Sequence, residues 1–173
     1  MKNLNSFILE HLECPKLSII ERLKLNKDTK LKTYNYFPKS FDELRALLRK
    51  LLEERGPDAD LNDIDVSNVT TFSDTENDIG LFEDLDPHNI KIDRWDVSNV
   101  KNMNYMFSEC ENFNCNLSNW KVNKVKYMRW MFDDCKNFNC DLSKWDVSNV
   151  KDMFHMFDGC VFLQTPNWYK INN

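Results

Sequence analysis

The sequence predicts an α/β fold, a short solenoid in which a parallel sheet faces a layer of stacked helices, preceded by a small helical part. Three observations carry this. A unit of 25 residues is written nearly three times, beginning at Trp95, Trp120 and Trp145, and its apolar positions fall into columns: Val97/Val122/Val147, Met103/Met128/Met153, Phe107/Phe132/Phe157 and Cys110/Cys135/Cys160. A fixed period of this size marks stacked units, none of which can bury its apolar face alone. Within a unit the apolar spacing switches from three and four to two, as a helix followed by a strand requires. Residues 1–60 lie outside the repeat and are expected to form a helical N-terminal part. Residues 61–173 hold about four units with a C-terminal cap.

At the N-terminus, Leu4, Phe7, Ile8 and Leu12 fit a short amphipathic helix ending before Pro15, while Leu17 to Leu25 mix both periods. The opening MKNLNSFILEHL and the later IIERLKLNKDTKLK resemble leader segments of some bacteriophage proteins. From Ser40 a clear helix begins. Ser40 stands as N-cap before Phe41 and Glu43, and Phe41, Leu44, Leu47, Leu48, Leu51 and Leu52 recur at three and four until Gly56-Pro57. Arg45, Arg49, Lys50 and Arg55 are expected on its solvated side.

Residues 57–96 carry 12 acidic side chains against 2 basic ones, a concentration hidden by the overall net charge of -5. A degenerate repeat starts here: Ile64-Asp65-Val66-Ser67-Asn68-Val69 copies Trp95-Asp96-Val97-Ser98-Asn99-Val100. Phe72 stands in the Met103 column, but Leu81-Phe82 reaches the Met106-Phe107 columns only after six extra residues within Ser73 to Gly80. An insertion inside one unit becomes a surface loop. The run from Asp58 to Asp65 imitates half a calcium loop, but the required Gly is Asp63 and the final acid is Val69, so solvated acidic turns are the preferred reading.

In the regular units, Val122, Val125, Met128, Phe132 and Cys135 predict a helix of about three turns, and Phe138, Cys140 and Leu142 a strand. Repeated, these give leucine-rich-repeat-like geometry. Outward strand positions would be Asn89, Lys91 and Asp93, then Asn114, Asn116 and Ser118, then Asn139, Asp141 and Ser143. Five of the six cysteines sit in repeat columns, so Cys110, Cys135 and Cys160 are expected to be buried reduced thiols. Thr165 and Pro166 break the last unit, and Pro166 to Tyr169 suit a cap.

The motif N-x-x-[LI]-S-x-W-[DK]-V-x-x-V-K-x-M-x-x-M-F-x-x-C-x-x-F resembles the repeat of the BspA-type leucine-rich-repeat surface proteins over residues 61–173. The resemblance implies a binding scaffold, often displayed on a cell surface. The sequence has no basic-then-apolar leader and no run long enough to cross a bilayer, so a cytoplasmic location without membrane contact is expected.

No nucleophile elbow, phosphate-cradling loop or dinucleotide turn is present, and His11, His88 and His155 have no metal-ligand neighbour at helical spacing. The expectation is a non-enzyme without cofactor or metal. Columns that vary between units are free of the core's demands. Tyr105, Trp130 and His155 share one such column, and Asn104, Arg129 and Phe154 the next. Tyr105, Arg129, Trp130, Phe154 and His155 are therefore the candidate partner-binding residues, either as an exposed ridge or partly packed on their neighbours. The leading reading is a protein-interaction module, encoded by a phage or mobile element, with a protein partner. A second is an acidic inhibitor of a host nuclease or defence protein that imitates a phosphate backbone with Asp74, Glu76, Asp78, Glu83, Asp84 and Asp86. A third is a cell-surface or virion adhesin. Direct DNA binding is not expected of an acidic chain.

Overall fold

The computed structural model of the 173-residue chain describes residues 34–170; the N-terminal helix expected over residues 4–12, and the leader-like segments, lie outside them. Among the described residues there is one helix, α1 (Phe41–Arg55), and one two-stranded antiparallel sheet, β1 (Ser73–Asp74) with β2 (Ile79–Gly80). The expected α/β leucine-rich-repeat-like solenoid is thereby overturned. No parallel sheet forms over Phe138 to Leu142 and its counterparts, and no helix forms over Val122 to Cys135. The repeats instead wind as successive turns. Parallel contacts between them are single bridges, Thr71 to Asn102, Asn102 to Tyr127 and Tyr127 to Asp152.

The physical reason lies in where the amides point. In a helix every N–H turns back along its own segment. Here they alternate. Val125, Asp133, Cys135 and Phe138 donate to the carbonyl three residues earlier, closing turns. Met128, Trp130, Phe132 and Asp134 instead donate forward to Asp152, Phe154, Met156 and Asp158 of the next coil, at 2.8–3.1 Å. Met103, Tyr105, Phe107 and Glu109 do the same to Tyr127, Arg129, Met131 and Asp133, at 2.8–2.9 Å. Linked three-residue turns return the chain to one side every three or four residues, so they produce the apolar spacing of a helix without being one. The alternation needs left-handed backbone, found at Tyr105, Glu109, Trp130, Asp134, His155 and Gly159.

The columns stack into the core. Phe82, Phe107, Phe132 and Phe157 form a ladder with ring centroids 5.1, 5.5 and 5.6 Å apart and planes within 11°. Trp95, Trp120, Trp145 and Trp168 each donate the indole N–H to a carbonyl of the preceding coil, Leu61, Ile92, Leu117 and Leu142, at 2.9–3.1 Å. Trp168 thus continues a column although it stands two residues short of the period. The Asp-x-Ser steps recur as turns in which Asp65, Asp96 and Asp146 accept from the amides of Ser67, Ser98 and Ser148. The insertion forms the hairpin β1–β2, with Asp74 accepting from the Glu76 amide across its tip. Gly80 lies where a Cβ would fall 1.8 Å from the Tyr105 carbonyl, so no larger residue fits.

Ser40 caps α1, its hydroxyl accepting from the Glu43 amide at 3.2 Å, and Gly56 ends it at φ +83° with its amide bonded to Leu52. Leu44, Leu48, Leu51 and Leu52 enter the same core as the first coils, so residues 34–60 share a compact unit with the repeats. Arg45 departs from the solvated face expected for it, while Arg55 stays exposed. Arg55 forms a two-pronged pair with Asp63, at 3.0 and 3.1 Å. Arg45 sends one guanidinium nitrogen to the carbonyls of Gly80, Leu81 and Glu83, at 2.9, 3.2 and 3.0 Å. Leu81 and Glu83 occupy the columns of Met131 and Asp133, whose carbonyls receive the forward amides of a preceding coil. A side chain of α1 stands in for the coil that is missing there.

All five described cysteines are free thiols. Cys110, Cys115 and Cys135 are buried, and Cys110 and Cys135 face the carbonyls of Phe82 and Phe107. Cys160, expected to be buried, is only half covered because no further coil stacks on it. Burial holds every one of these thiols above its ordinary range, Cys115 at about 11 and Cys160 at about 12.

Three outcomes follow. Arg45→Met should lower unfolding free energy by about 2–4 kcal/mol, because carbonyls in a partly buried site lose a charged donor, whereas Arg49→Met should change it by less than about 0.5 kcal/mol. Chemical denaturation of both variants checks this. Phe132→Ala should cost about 3–5 kcal/mol by breaking the centre of the ring ladder. A thiol reagent under native conditions should label Cys140 and Cys160 before Cys110, Cys115 and Cys135; mass spectrometry of timed digests reads the order.

Candidate functional site

Three of the five sequence-predicted ridge residues repeat one backbone solution. Tyr105, Trp130 and His155 sit at φ +56°, +48° and +54°, a region that side-chain-bearing residues occupy at a cost. The first two are fixed by the alternating amides, Tyr105 donating to Arg129 at 2.9 Å and Trp130 to Phe154 at 3.1 Å. The shared geometry aims the three rings to one side, where they stack. Tyr105 and Trp130 lie 5.1 Å apart at 17°, and Trp130 and His155 5.7 Å apart at 11°.

The adjacent column flanks the stack. The Arg129 guanidinium lies 4.5 Å from the Trp130 ring centre and 5.9 Å from that of Phe154, which is 51% exposed. Arg129 Nε also lies 3.5 Å from Asp152 Oδ2, within charge range but without hydrogen-bond alignment. The Arg129 amide is held by the Asn104 side chain at 2.9 Å. His155 Nδ1 is paired with Asp158 Oδ2. The structure therefore brings all five residues together. Tyr105, Arg129, Trp130 and His155 are half-buried against one another and Phe154 projects, so the ridge is both packed and accessible.

Tyr105's hydroxyl is raised above its ordinary range, first by burial and then by the charge of Asp78. Below the ridge Asp133 is raised as well, chiefly by burial and then by Asp134, Asp158 and Glu109. Its carboxylate therefore disfavours the folded state once ionised.

The acidic candidates are divided. Asp74 is lowered by Asn77 and the Glu76 amide, both in the hairpin, whose tip exposes Glu76 and Asp78. Glu83 accepts from the Gly80 amide at 2.8 Å, Asp84 lies 4.0 Å from Arg45, and Asp86 lies 3.4 Å from His88 and 3.5 Å from Asn112. Asp74 and Glu83 are thus committed to holding turns, while Asp84 and Asp86 stay largely exposed. The calcium-like run is spent similarly: Asp58 accepts from Asn89, Asp60 from the Asn62 amide, and Asp63 pairs with Arg55. Among the described residues no group of three His, Cys, Asp or Glu side chains is placed to hold a metal ion. Asn116 and Asp141 of the polar strip cap Ser118 and Ser143, and belong to turns rather than a strand.

Residues 48–169 match the model of a family described as a Mycoplasma protein of unknown function, DUF285. The chain belongs to that family. No curated protein and no solved structure matches this DUF285 chain. Among its described residues no helix is long and apolar enough to cross a membrane.

Sequence reasoning missed Arg45 and the left-handed backbone of the ridge. Nothing in the residue type of Arg45 marks it as a cap. The ridge carried one signal, because bulky rings at Tyr105, Trp130 and His155 alternate with a column that ends in Gly159.

Asp133→Asn should raise the melting temperature by about 1–4 °C at pH 7. The folded-state pKa lies above the unfolded one, so the penalty exists above it and fades as pH falls and the carboxyl protonates in both states. Melting curves of variant and parent should converge near pH 3.

Proposed function

We propose that this DUF285 chain is a non-enzymatic protein-interaction module whose contact surface is the ridge of Tyr105, Arg129, Trp130, Phe154 and His155. The observation that carries the reading is the stack itself. Three rings are held in left-handed backbone at positions where the core makes no demand, a guanidinium lies over the middle one, and Phe154 stands out beside them. Aromatic and arginine side chains that are rigid before contact lose little conformational freedom on binding, and they dominate interface energetics. The resemblance to BspA-type surface proteins supports a binding role, and the unreactive buried thiols support a non-catalytic one. A cytoplasmic setting agrees with free cysteines. The acidic-mimic reading is weaker, since Asp74 and Glu83 are taken up by amides of the chain's own turns.

Capture from a lysate by the tagged full chain tests it. Trp130→Ala should weaken capture of the retained protein at least about tenfold, with its melting curve still cooperative. Neutralising Glu76 and Asp78, which hold no turn, should leave capture unchanged. Binding that survives Trp130→Ala but collapses with the two acids or with added salt would move the site to the hairpin.

A further inference from the structure

The forward hydrogen bonds come to an end at the last coil. Met103 to Glu109 donate to the coil after them, and so do Met128 to Asp134. Their counterparts are Met153, His155, Phe157 and Gly159. The Tyr169 ring packs edge-on against that of Phe157, with centroids 4.9 Å apart. The amides of Met153 and His155 donate to nothing among the described residues, and the Lys151 carbonyl, counterpart of the Lys126 carbonyl that accepts from Lys151, receives nothing. These three groups line a cleft of about 750 Å³ walled by Phe154, His155, Trp168 and Tyr169.

We propose that this edge takes up one extended strand of a partner protein, running parallel to residues 151–155. The two preceding interfaces state what the strand must supply. Its first residue gives an N–H to the Lys151 carbonyl, its second a carbonyl to Met153, and its fourth a carbonyl to His155, as residues 151, 152 and 154 do for the coil before them. Its third side chain continues the Met103, Met128, Met153 column and is apolar. Its fifth continues Tyr105, Trp130, His155 and is aromatic, stacking on the imidazole. Strand addition of this kind draws affinity from the main chain and specificity from alternate side chains.

A folded second copy cannot fill the edge. Two copies end to end would set donors against donors. In a head-to-tail pair continuing the register, the carbonyls set against Phe157 and Gly159 are those of Leu81 and Glu83, and Arg45 already occupies both, so a folded copy cannot dock along the whole edge. The occupant is therefore a segment with free carbonyls. The inference rests on the interaction reading of the ridge, whose last ring, His155, belongs to both.

The probe is a blocked synthetic peptide with the sequence of residues 126–133, Lys-Tyr-Met-Arg-Trp-Met-Phe-Asp, which meets the pattern. Added to the full chain at saturating concentration, it should slow amide hydrogen exchange at Met153 and His155 at least about tenfold. A peptide with Asp at its third and fifth positions should not. The proposal is overturned if the peptide fails to bind at millimolar concentration, or binds with those two amides exchanging as before. It is also overturned if the chain alone protects them as its concentration rises, since a second copy would then be the occupant. Ridge and edge are separable: loss of capture in Trp130→Ala with both amides unaffected leaves the ridge and removes the edge, and the converse leaves the edge alone.

Discussion

Every coil of this protein depends on a backbone whose amides take turns, one closing a turn within its own coil and the next reaching forward to the coil beyond. Buried peptide groups must be paired, and coils with neither helix nor extended sheet have to find those partners one by one. The alternation provides them. It also accounts for the left-handed residues, which are a condition of sending successive amides in different directions and recur at the same column in each coil. Indoles and thiols add to the accounting, since the Trp and Cys columns reach back to carbonyls that already close a turn and give each a second donor.

The core follows from that backbone. Once successive coils are tied in register, like residues lie above like, and rings stack on rings. The ridge obeys the same rule on the outer side: the register that builds the Phe ladder inside places Tyr105, Trp130 and His155 in line outside. At the start of the stack the demand is met by a different kind of group, the Arg45 guanidinium.

The columns were legible in the sequence because identical neighbours must share an environment, whatever the local conformation. Met128, Phe132 and Cys135 are buried as their column required, and Phe82 returns to register after the insertion. Helix α1 was legible from Ser40, its leucines and Gly56, since caps and periodicity agree. The type of element within the repeat was not. Spacing of three and four cannot tell a helix from linked turns, and alternation over Phe138, Cys140 and Leu142 cannot tell a strand from turn-bounded extended chain. The five ridge residues were found because they vary where the core does not, but their stacking depends on φ values that residue type conceals. Arg45 was misread because its partners are main-chain oxygens, which every sequence contains.

The reach of the tying bonds is constant. In the regular coils amides join residues 24 to 26 positions apart, and the thiols of Cys110, Cys135 and Cys160 join residues 28 apart. Each coil is closed by a loop no longer than the one before, so the entropy lost on docking it does not grow with the number already docked. Mean sequence separation between touching residues stays fixed while the chain lengthens, and folding rate tracks that separation. A lineage can therefore gain or lose a 25-residue unit from the middle of such a stack without slowing its assembly, provided the first coil keeps its side-chain substitute.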